Sequence, residues 1–398
     1  MKRYVIIGNG TAGASAVEQI RKRDKQGGIV IFTREKQPYY YRPKLPEYIA
    51  GEVKPESFTM HALSRYREWA VDLRLGESVT AVDPEKKEVT GEKTGKIPYD
   101  ELLIAAGSNS FLPPVEGSGK KGVFTLRTIA DADAIIAAAQ KTKTAILVGG
   151  GLLGLEAGHA LIKLGLKVEV VEFMDRLLPR QLDHESAKLL QGQLEEMGFS
   201  FRLSAKVQEV TGGNSAEGIV LEGGARVSGG LVLFSAGVRP NLELARSAGL
   251  ETGKAVKVDQ YMRTGIPGIW AAGDMTEFNG QPCGLWPVAM NQGKAAGASM
   301  AGDLCAYVPQ APSATLKVAG IGLISAGCIE AEGGRRQKVY ASGKVYRKIV
   351  LEDDIVKGIV FLGSTEGAQK CIAAMNEGRH LGPAAEELDR EDFNFSRL

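Results

Sequence analysis

The run from Thr144 to Glu172, TAILVGGGLLGLEAGHALIKLGLKVEVVE, decides how this chain is read. An apolar strand over residues 145–148 feeds straight into Gly149-Gly150-Gly151-Leu152-Leu153-Gly154. A helix with apolar residues at helical spacing follows, and a second strand, Lys167–Val171, ends on Glu172. The order is that of a complete dinucleotide-binding strand–helix–strand unit. Gly149 makes the tight turn, Gly151 lets backbone approach a pyrophosphate, and Gly154 permits close helix–strand packing, with the helix N-terminus facing the phosphates. Glu172, twenty-one positions past Gly151, falls where it accepts hydrogen bonds from a ribose hydroxyl.

The same pattern opens the chain. Tyr4-Val5-Ile6-Ile7 leads into Gly8-Asn9-Gly10-Thr11-Ala12-Gly13, a helix to about Arg23 and a strand over residues 29–32. One such fingerprint is a weak signal, but two in one chain predict two dinucleotide sites. Thr33 and Arg34 come directly off the second strand here, so Glu35 is the first carboxylate and the expected ribose ligand.

With 398 residues, the chain has room for two or three domains. A net charge of +2 provides no basic excess for neutralising phosphates, which argues against a nucleic-acid protein. No apolar run reaches the length of a membrane span. Met1-Lys2-Arg3 runs straight into a strand and leaves no room for a cleavable signal peptide, so the expected location is cytoplasmic. Cys283, Cys305, Cys328 and Cys371 are widely spaced with no CxxC pair, and are expected as buried structural thiols rather than cluster ligands. His61, His159, His184 and His380 show no metal-ligand spacing, so no metal site is expected.

Between the two fingerprints, Gln37-Pro38-Tyr39-Tyr40-Tyr41-Arg42-Pro43-Lys44-Leu45-Pro46-Glu47 is a proline-punctuated loop, read either as a surface loop whose tyrosines fill a domain seam or, from its position after the first unit, as a loop edging a flavin. A buried strand then closes on Ala105-Ala106-Gly107-Ser108, a small-residue turn that lets backbone pass close to a cofactor. Residues 131–140 and 183–197 read as helices, and Leu231-Val232-Leu233-Phe234-Ser235-Ala236-Gly237 repeats the strand-to-small-turn pattern. Another strand ends on Gly273-Asp274, where the carboxylate can bond a polyol hydroxyl. Trp286-Pro287 introduces a helix over 288–301, whose positive end suits the pyrimidine ring of a flavin. The last stretch alternates short β patterns and ends in a helix from about Glu366 and a polar tail. The expected architecture is α/β, with two Rossmann-like domains and a small α+β C-terminal domain. Its divisions are 1–110 with 238–308 for the first nucleotide, 111–237 for the second, and 309–398.

Taken together, the two fingerprints, the turns at 105–108 and 235–241 and Ala271-Ala272-Gly273-Asp274 resemble the two-dinucleotide flavoproteins of the pyridine nucleotide–disulfide oxidoreductase superfamily. That resemblance implies FAD on the first unit, with Gly8, Gly10 and Gly13 on the pyrophosphate, Glu35 on the adenosine ribose and Asp274 on the ribityl chain. Ala106, Gly107, Gly237, Gly273 and Trp286 join the cofactor-binding set. NADH would sit at Gly149, Gly151, Gly154 and Glu172. Disulfide reductases of this superfamily carry a cysteine pair after the first unit, and related oxidases a single cysteine near position 40. This chain has no cysteine before Cys283. Instead, residues 38–47 resemble the Arg-Pro loop of NADH–rubredoxin and ferredoxin reductases, which implies Arg42 and Pro43 against the isoalloxazine. Glu47 falls where many ferredoxin reductases have Lys, and is more like rubredoxin reductase. Glu156 resembles a carboxylate that lies beside the nicotinamide.

The segments Thr315-Leu316-Lys317-Val318-Ala319-Gly320 and Tyr346-Arg347-Lys348-Ile349-Val350 are similar to the last domain of rubredoxin reductases and nitrite reductase large subunits. Residues 384–398, with five acids and two arginines, lie outside the resemblance and read equally as a partner-docking extension or a frayed polar tail. The implied activity is hydride transfer from NADH to FAD, then single-electron transfer to a rubredoxin, a ferredoxin or an iron–sulfur partner subunit. Two alternatives stay open: the NADH-reacting subunit of a larger complex, and a redox sensor that signals through partners. Either a homodimer or membership of a complex is compatible with the sequence.

Overall fold

The computed structural model describes residues 1–282, 284–309 and 313–398, which form two compact units. The first comprises Met1–Lys44, Val53–Asn109 and Val238–Pro309. Its centre is a five-stranded parallel sheet in the order Ile269–Ala271, Glu101–Ile104, Arg3–Ile7, Gly28–Thr33, Val71–Leu75. Side chains alternate across a strand, so Tyr4 and Ile6 join one core with Val17, Ile20 and Tyr66, while Val5 and Ile7 join another with Phe32, Leu102 and Ile104. Burial on both faces is what a parallel sheet requires.

Helices Thr11–Arg23 and Trp286–Met300 meet backbone to backbone on the first face. A Cβ on Gly293 would lie 2.2 Å from the Ala12 carbonyl oxygen, and one on Gly297 2.3 Å from that of Ala16. Only glycine lets these helices come so close. The second helix begins at Trp286, two residues before the expected start, with Pro287 in its first turn, where a missing N–H costs nothing.

The second unit comprises Leu45–Glu52, Ser110–Gly237 and Gln310–Leu398. Its parallel sheet runs Phe199–Arg202, Lys167–Val171, Thr144–Val148, Leu231–Phe234, Val123–Thr125. Helix Ile129–Ala139 also starts ahead of its expected position, because Thr128 and Asp131 cap it reciprocally. An antiparallel sheet follows in the order Ser313–Val318, Ile321–Gly327, Ile355–Gly363, Val345–Glu352, Arg336–Ser342, covered by helix Ala368–Glu377. The architecture is thus two Rossmann-like parallel-sheet domains with a smaller α+β C-terminal domain.

The tail is not frayed. Leu388, Phe393, Phe395 and Leu398 are buried with Ile359, Phe361 and Cys371 in the core of the C-terminal domain. The Phe395 ring fills the space beside Gly367, where a Cβ would meet it at 2.1 Å. Outside, Glu386 pairs with Arg336 and, at 3.2 Å, with Lys338 on the edge strand. The reading by charge missed that the apolar residues between the acids share one inward side.

Candidate functional site

In both units the nucleotide loop has the same construction. Gly8 has φ +108° and Gly149 φ +116°, and a Cβ at either would run into the carbonyl oxygen of the neighbouring strand end, Ala105 at 2.2 Å and Ser235 at 2.5 Å. The last glycine of each motif packs on the first: a Cβ on Gly13 would sit 2.0 Å from the Gly8 oxygen, and one on Gly154 2.7 Å from the Gly149 oxygen. The middle glycines differ in kind. Around Gly10 and Gly151 no protein atom beyond the adjoining residues lies within 4 Å of where a Cβ would stand. Nothing in the protein demands glycine there, whereas a ligand on the loop would. Each middle glycine also caps its helix with no side-chain hydrogen bond, so the first N–H groups are left for an anion. The residues present therefore fit a dinucleotide at each loop.

The remaining first-unit candidates gather past the C-terminal ends of adjacent parallel strands, the position a doubly wound sheet offers to ligands. Asp274 accepts a hydrogen bond from the Ser108 hydroxyl at 2.8 Å. The turn that carries Gly273 is fixed by Gln292, 2% exposed, whose side-chain oxygen accepts from the Gly273 N–H and the Thr276 hydroxyl, both at 2.9 Å. Asn241 donates to the Ala106 carbonyl at 2.8 Å and so holds the Ala106–Gly107 turn. Neither Gln292 nor Asn241 was assigned a role from the sequence, although Asn241 closes the 235–241 turn. The Trp286 ring meets Tyr41 edge-on at 5.5 Å, with its Nε1 buried.

The resemblance sets Arg42 against the isoalloxazine; its guanidinium donates to Glu35, the expected ribose acid, at 2.5 Å, and Tyr40 donates to the other carboxylate oxygen. Burial alone would lower the Arg42 pKa, but Glu35, Tyr40 and Asp274 carry it above its ordinary value. A half-buried guanidinium gains from a carboxylate, and Glu35 is within its reach. Pro43 is exposed beside it. Glu47 stands half-buried on helix Leu45–Ile49 of the second unit.

In the second unit, Glu172 is 9% exposed and accepts from the Gly150 N–H at 2.5 Å and the Met174 N–H at 2.7 Å. The carboxylate thus ties the glycine loop to the strand end it terminates. Gly237, with φ +86°, follows the strand next to that loop. Phe173 and Met174 are exposed beside the acid, and Arg180 is exposed further along. Arg176 is turned to its own loop, donating to the Leu182 carbonyl at 3.2 Å. The carboxylate of Glu156, expected beside the nicotinamide, accepts from the Ala319 N–H at 2.7 Å. It joins the nucleotide domain to the C-terminal sheet.

The thiol expectation needs correcting. Among the described residues only Cys371 is buried, its thiol pushed up to about 12 by burial, while Cys328 is half-buried and Cys305 exposed. Cys283 lies outside the described residues. Among the described residues no cluster of His, Cys, Asp or Glu is arranged to hold a metal, and no helix is long and apolar enough to cross a membrane.

Residues 2–293 match the family model described as pyridine nucleotide-disulphide oxidoreductase. This chain belongs to that family. Residues 312–379 match the rubredoxin NAD+ reductase C-terminal domain, which places the chain in the rubredoxin and ferredoxin reductase-like branch. The assimilatory nitrate reductase electron transfer subunit of Bacillus subtilis (strain 168) is 35% identical over 97% of this chain and 51% of its own length. The chain spans about half the length of that relative and of the nitrite reductase from the same organism. An NADH oxidase of Methanocaldococcus jannaschii is 33% identical over 99% of this chain and 94% of its own. The solved NADH:rubredoxin oxidoreductase of Clostridium acetobutylicum superposes with a TM-score of 0.83, at 28% identity and 96% coverage of both chains.

Proposed function

We propose that this chain is an NADH-dependent flavoprotein oxidoreductase, with FAD in the first unit, NADH in the second and an external one-electron acceptor of the rubredoxin, ferredoxin or iron–sulfur-subunit kind. The observation that carries the reading is the paired loop construction, in which Gly10 and Gly151 each cap a helix N-terminus and leave open the space where a Cβ would stand. Bound FAD supplies the chemistry that links the two sites, because it accepts a hydride and releases electrons one at a time. The protein's part is orientation. Gly8, Gly10 and Gly13 present the helix N-terminus to the pyrophosphate, the Glu35–Arg42 pair stands at the ribose end, and Asp274, held by Ser108, meets the ribityl hydroxyls. Glu172 reads the NADH ribose. With no cysteine before Cys283, electrons leave the flavin without a thiol relay of the disulfide-reductase kind.

A second reading makes the chain the NADH-reacting part of a larger oxidoreductase. It is favoured by the half-length match to a protein described as an electron transfer subunit. One assay separates the two: NADH-dependent reduction of purified rubredoxins and ferredoxins by the isolated chain. Turnover of a free carrier supports the stand-alone reductase. Reduction of bound FAD by NADH with no carrier turned over, together with co-purification in a complex, supports the subunit. A protein that takes up no FAD sinks both.

A further inference from the structure

Beyond Glu172 the chain makes a loop over residues 173–183 that touches the second nucleotide loop from outside. The Leu178 N–H donates to the Gly150 carbonyl at 3.2 Å, and a Cβ on Gly150 would meet the Leu177 side chain at 2.7 Å. Glu172 already holds the Gly150 N–H, so both polar groups of this glycine are taken. A peptide unit is planar. Fixing the Gly150 carbonyl therefore fixes the direction of the Gly151 N–H across the same bond, at the cap of helix Leu152–Lys163.

Leu178 does not adopt its shape unaided. Its φ is +48°, in the left-handed region where a leucine is strained, and such a residue persists only where its surroundings impose it. Within the loop, the Leu178 carbonyl accepts from the Gln181 and Leu182 N–H groups at 2.8 and 2.9 Å, and Leu177, Leu178 and Leu182 are all buried. At the far end the anchor comes from the C-terminal sheet. Asp183 accepts from Lys348 at 2.9 Å and from Tyr346 at 2.7 Å, two residues of strand Val345–Glu352. Burial, with Asp183 alongside, holds the Tyr346 hydroxyl above its ordinary pKa, so it remains a donor. Helix capping does not explain this pair, because Oδ1 of Asp183 accepts from the Ser186 N–H at 2.9 Å while Lys348 and Tyr346 both meet Oδ2. A buried ion pair adds little net stability over apolar groups of the same size, but it admits few geometries.

We infer that Lys348 and Tyr346 are positioning residues for NADH: through Asp183 they set the loop at 173–183, and through Leu178 that loop aims the Gly151 N–H at the dinucleotide. The inference rests on the proposal that NADH occupies the second nucleotide loop. It gives the C-terminal domain a part in nucleotide binding that neither the glycine motif nor Glu172 supplies.

The test uses the full, FAD-loaded chain. NADH reduction of the bound flavin, followed by stopped flow, yields an NADH Kd and a limiting rate, and amide hydrogen exchange reports on the loop itself. Lys348→Met should raise the NADH Kd about tenfold while FAD content and limiting rate hold. Tyr346→Phe, which deletes only the hydroxyl, should act in the same direction and carries the test if Lys348→Met folds poorly. In an Asp183→Asn background, which retains a helix cap, Lys348→Met should add nothing further. Without nucleotide, exchange over residues 173–183 should quicken in Lys348→Met and Tyr346→Phe but not across the first unit. A lowered Tm with the NADH Kd unchanged in both variants would make the cluster purely structural and overturn the inference, leaving the NADH assignment intact. A parent whose flavin NADH does not reduce would remove both.

Discussion

Glu172, the proposed ribose acid, is more than a charge at the end of a strand. Its two oxygens accept backbone N–H groups from Gly150 and Met174, so the carboxylate holds the loop it serves. Placing a 2′-phosphate beside it brings like-charge repulsion and removes the hydroxyl that the acid bonds. NADH should therefore be preferred over NADPH by about tenfold in kcat/KM, the scale of one hydrogen bond to a charged group, roughly 1.5–3 kcal/mol. Glu172→Ala should shrink that preference and, by freeing Gly150, raise KM for NADH while flavin content stays constant. Steady-state kinetics with both nucleotides check this, and equal rates in the parent would assign the reading to Arg180 instead. Asp274→Ala should weaken flavin retention, measured as FAD lost on gel filtration, because the proposed FAD site sets the ribityl hydroxyls on the carboxylate that Ser108 positions.

At the scale of elements, stability in the second unit depends on contacts between its nucleotide half and its C-terminal sheet. Asp183 caps helix His184–Glu196 and accepts from Lys348 at 2.9 Å and Tyr346 at 2.7 Å, all three nearly out of water. Burial alone would raise the Asp183 pKa, but hydrogen bonds from Ser186, Lys348 and Tyr346 outweigh it and hold the carboxyl below its ordinary 3.8. A depressed carboxylate contributes stability that is present above the unfolded pKa and lost as pH falls through the folded one. The contribution is thus complete at neutral pH and fades below 3.8. Lys348→Met should cost about 3 kcal/mol at pH 7 by leaving that carboxylate buried with fewer partners, and denaturant unfolding measures it. The tail offers a second case. Deleting residues 382–398 uncovers Phe361 and removes Phe393, Phe395 and Leu398, each worth about 1.5–3 kcal/mol of burial, so Tm should fall sharply. An unchanged Tm would show that the tail only rests on the domain.

For the whole molecule, thiols and flavin should be separate in function. Cys371 is buried and Cys305 exposed, and no cysteine precedes Cys283. Reductive titration should therefore consume two electrons per bound flavin, and alkylation of native protein at Cys305 should leave NADH turnover intact. Uptake of four electrons would mean a redox-active sulfur pair. The two strand–helix–strand units, the two loops and the small α+β last domain were all legible in the chain, because glycine spacing and apolar periodicity act over a few neighbouring residues. Helix starts were less so: Thr128 and Trp286 begin their helices through capping and proline geometry, which periodicity does not register.

By itself the sequence determined the architecture and the positions of both nucleotide loops, since a turn that needs Gly8 or Gly149 is a local steric demand written in adjacent residues. Only the tertiary structure decided which side chains complete those loops. The pairing of Arg42 with Glu35, the clamp of Gln292 on Gly273, the bond from Glu156 to Ala319 and the hold of Leu178 on Gly150 each depend on where separate segments meet. Asp183 and Lys348 are 165 residues apart, and no local pattern could have joined them. The tail behaves likewise: its acids are visible in the sequence, but the inward side shared by Phe393, Phe395 and Leu398 exists only once the sheet they cover has formed.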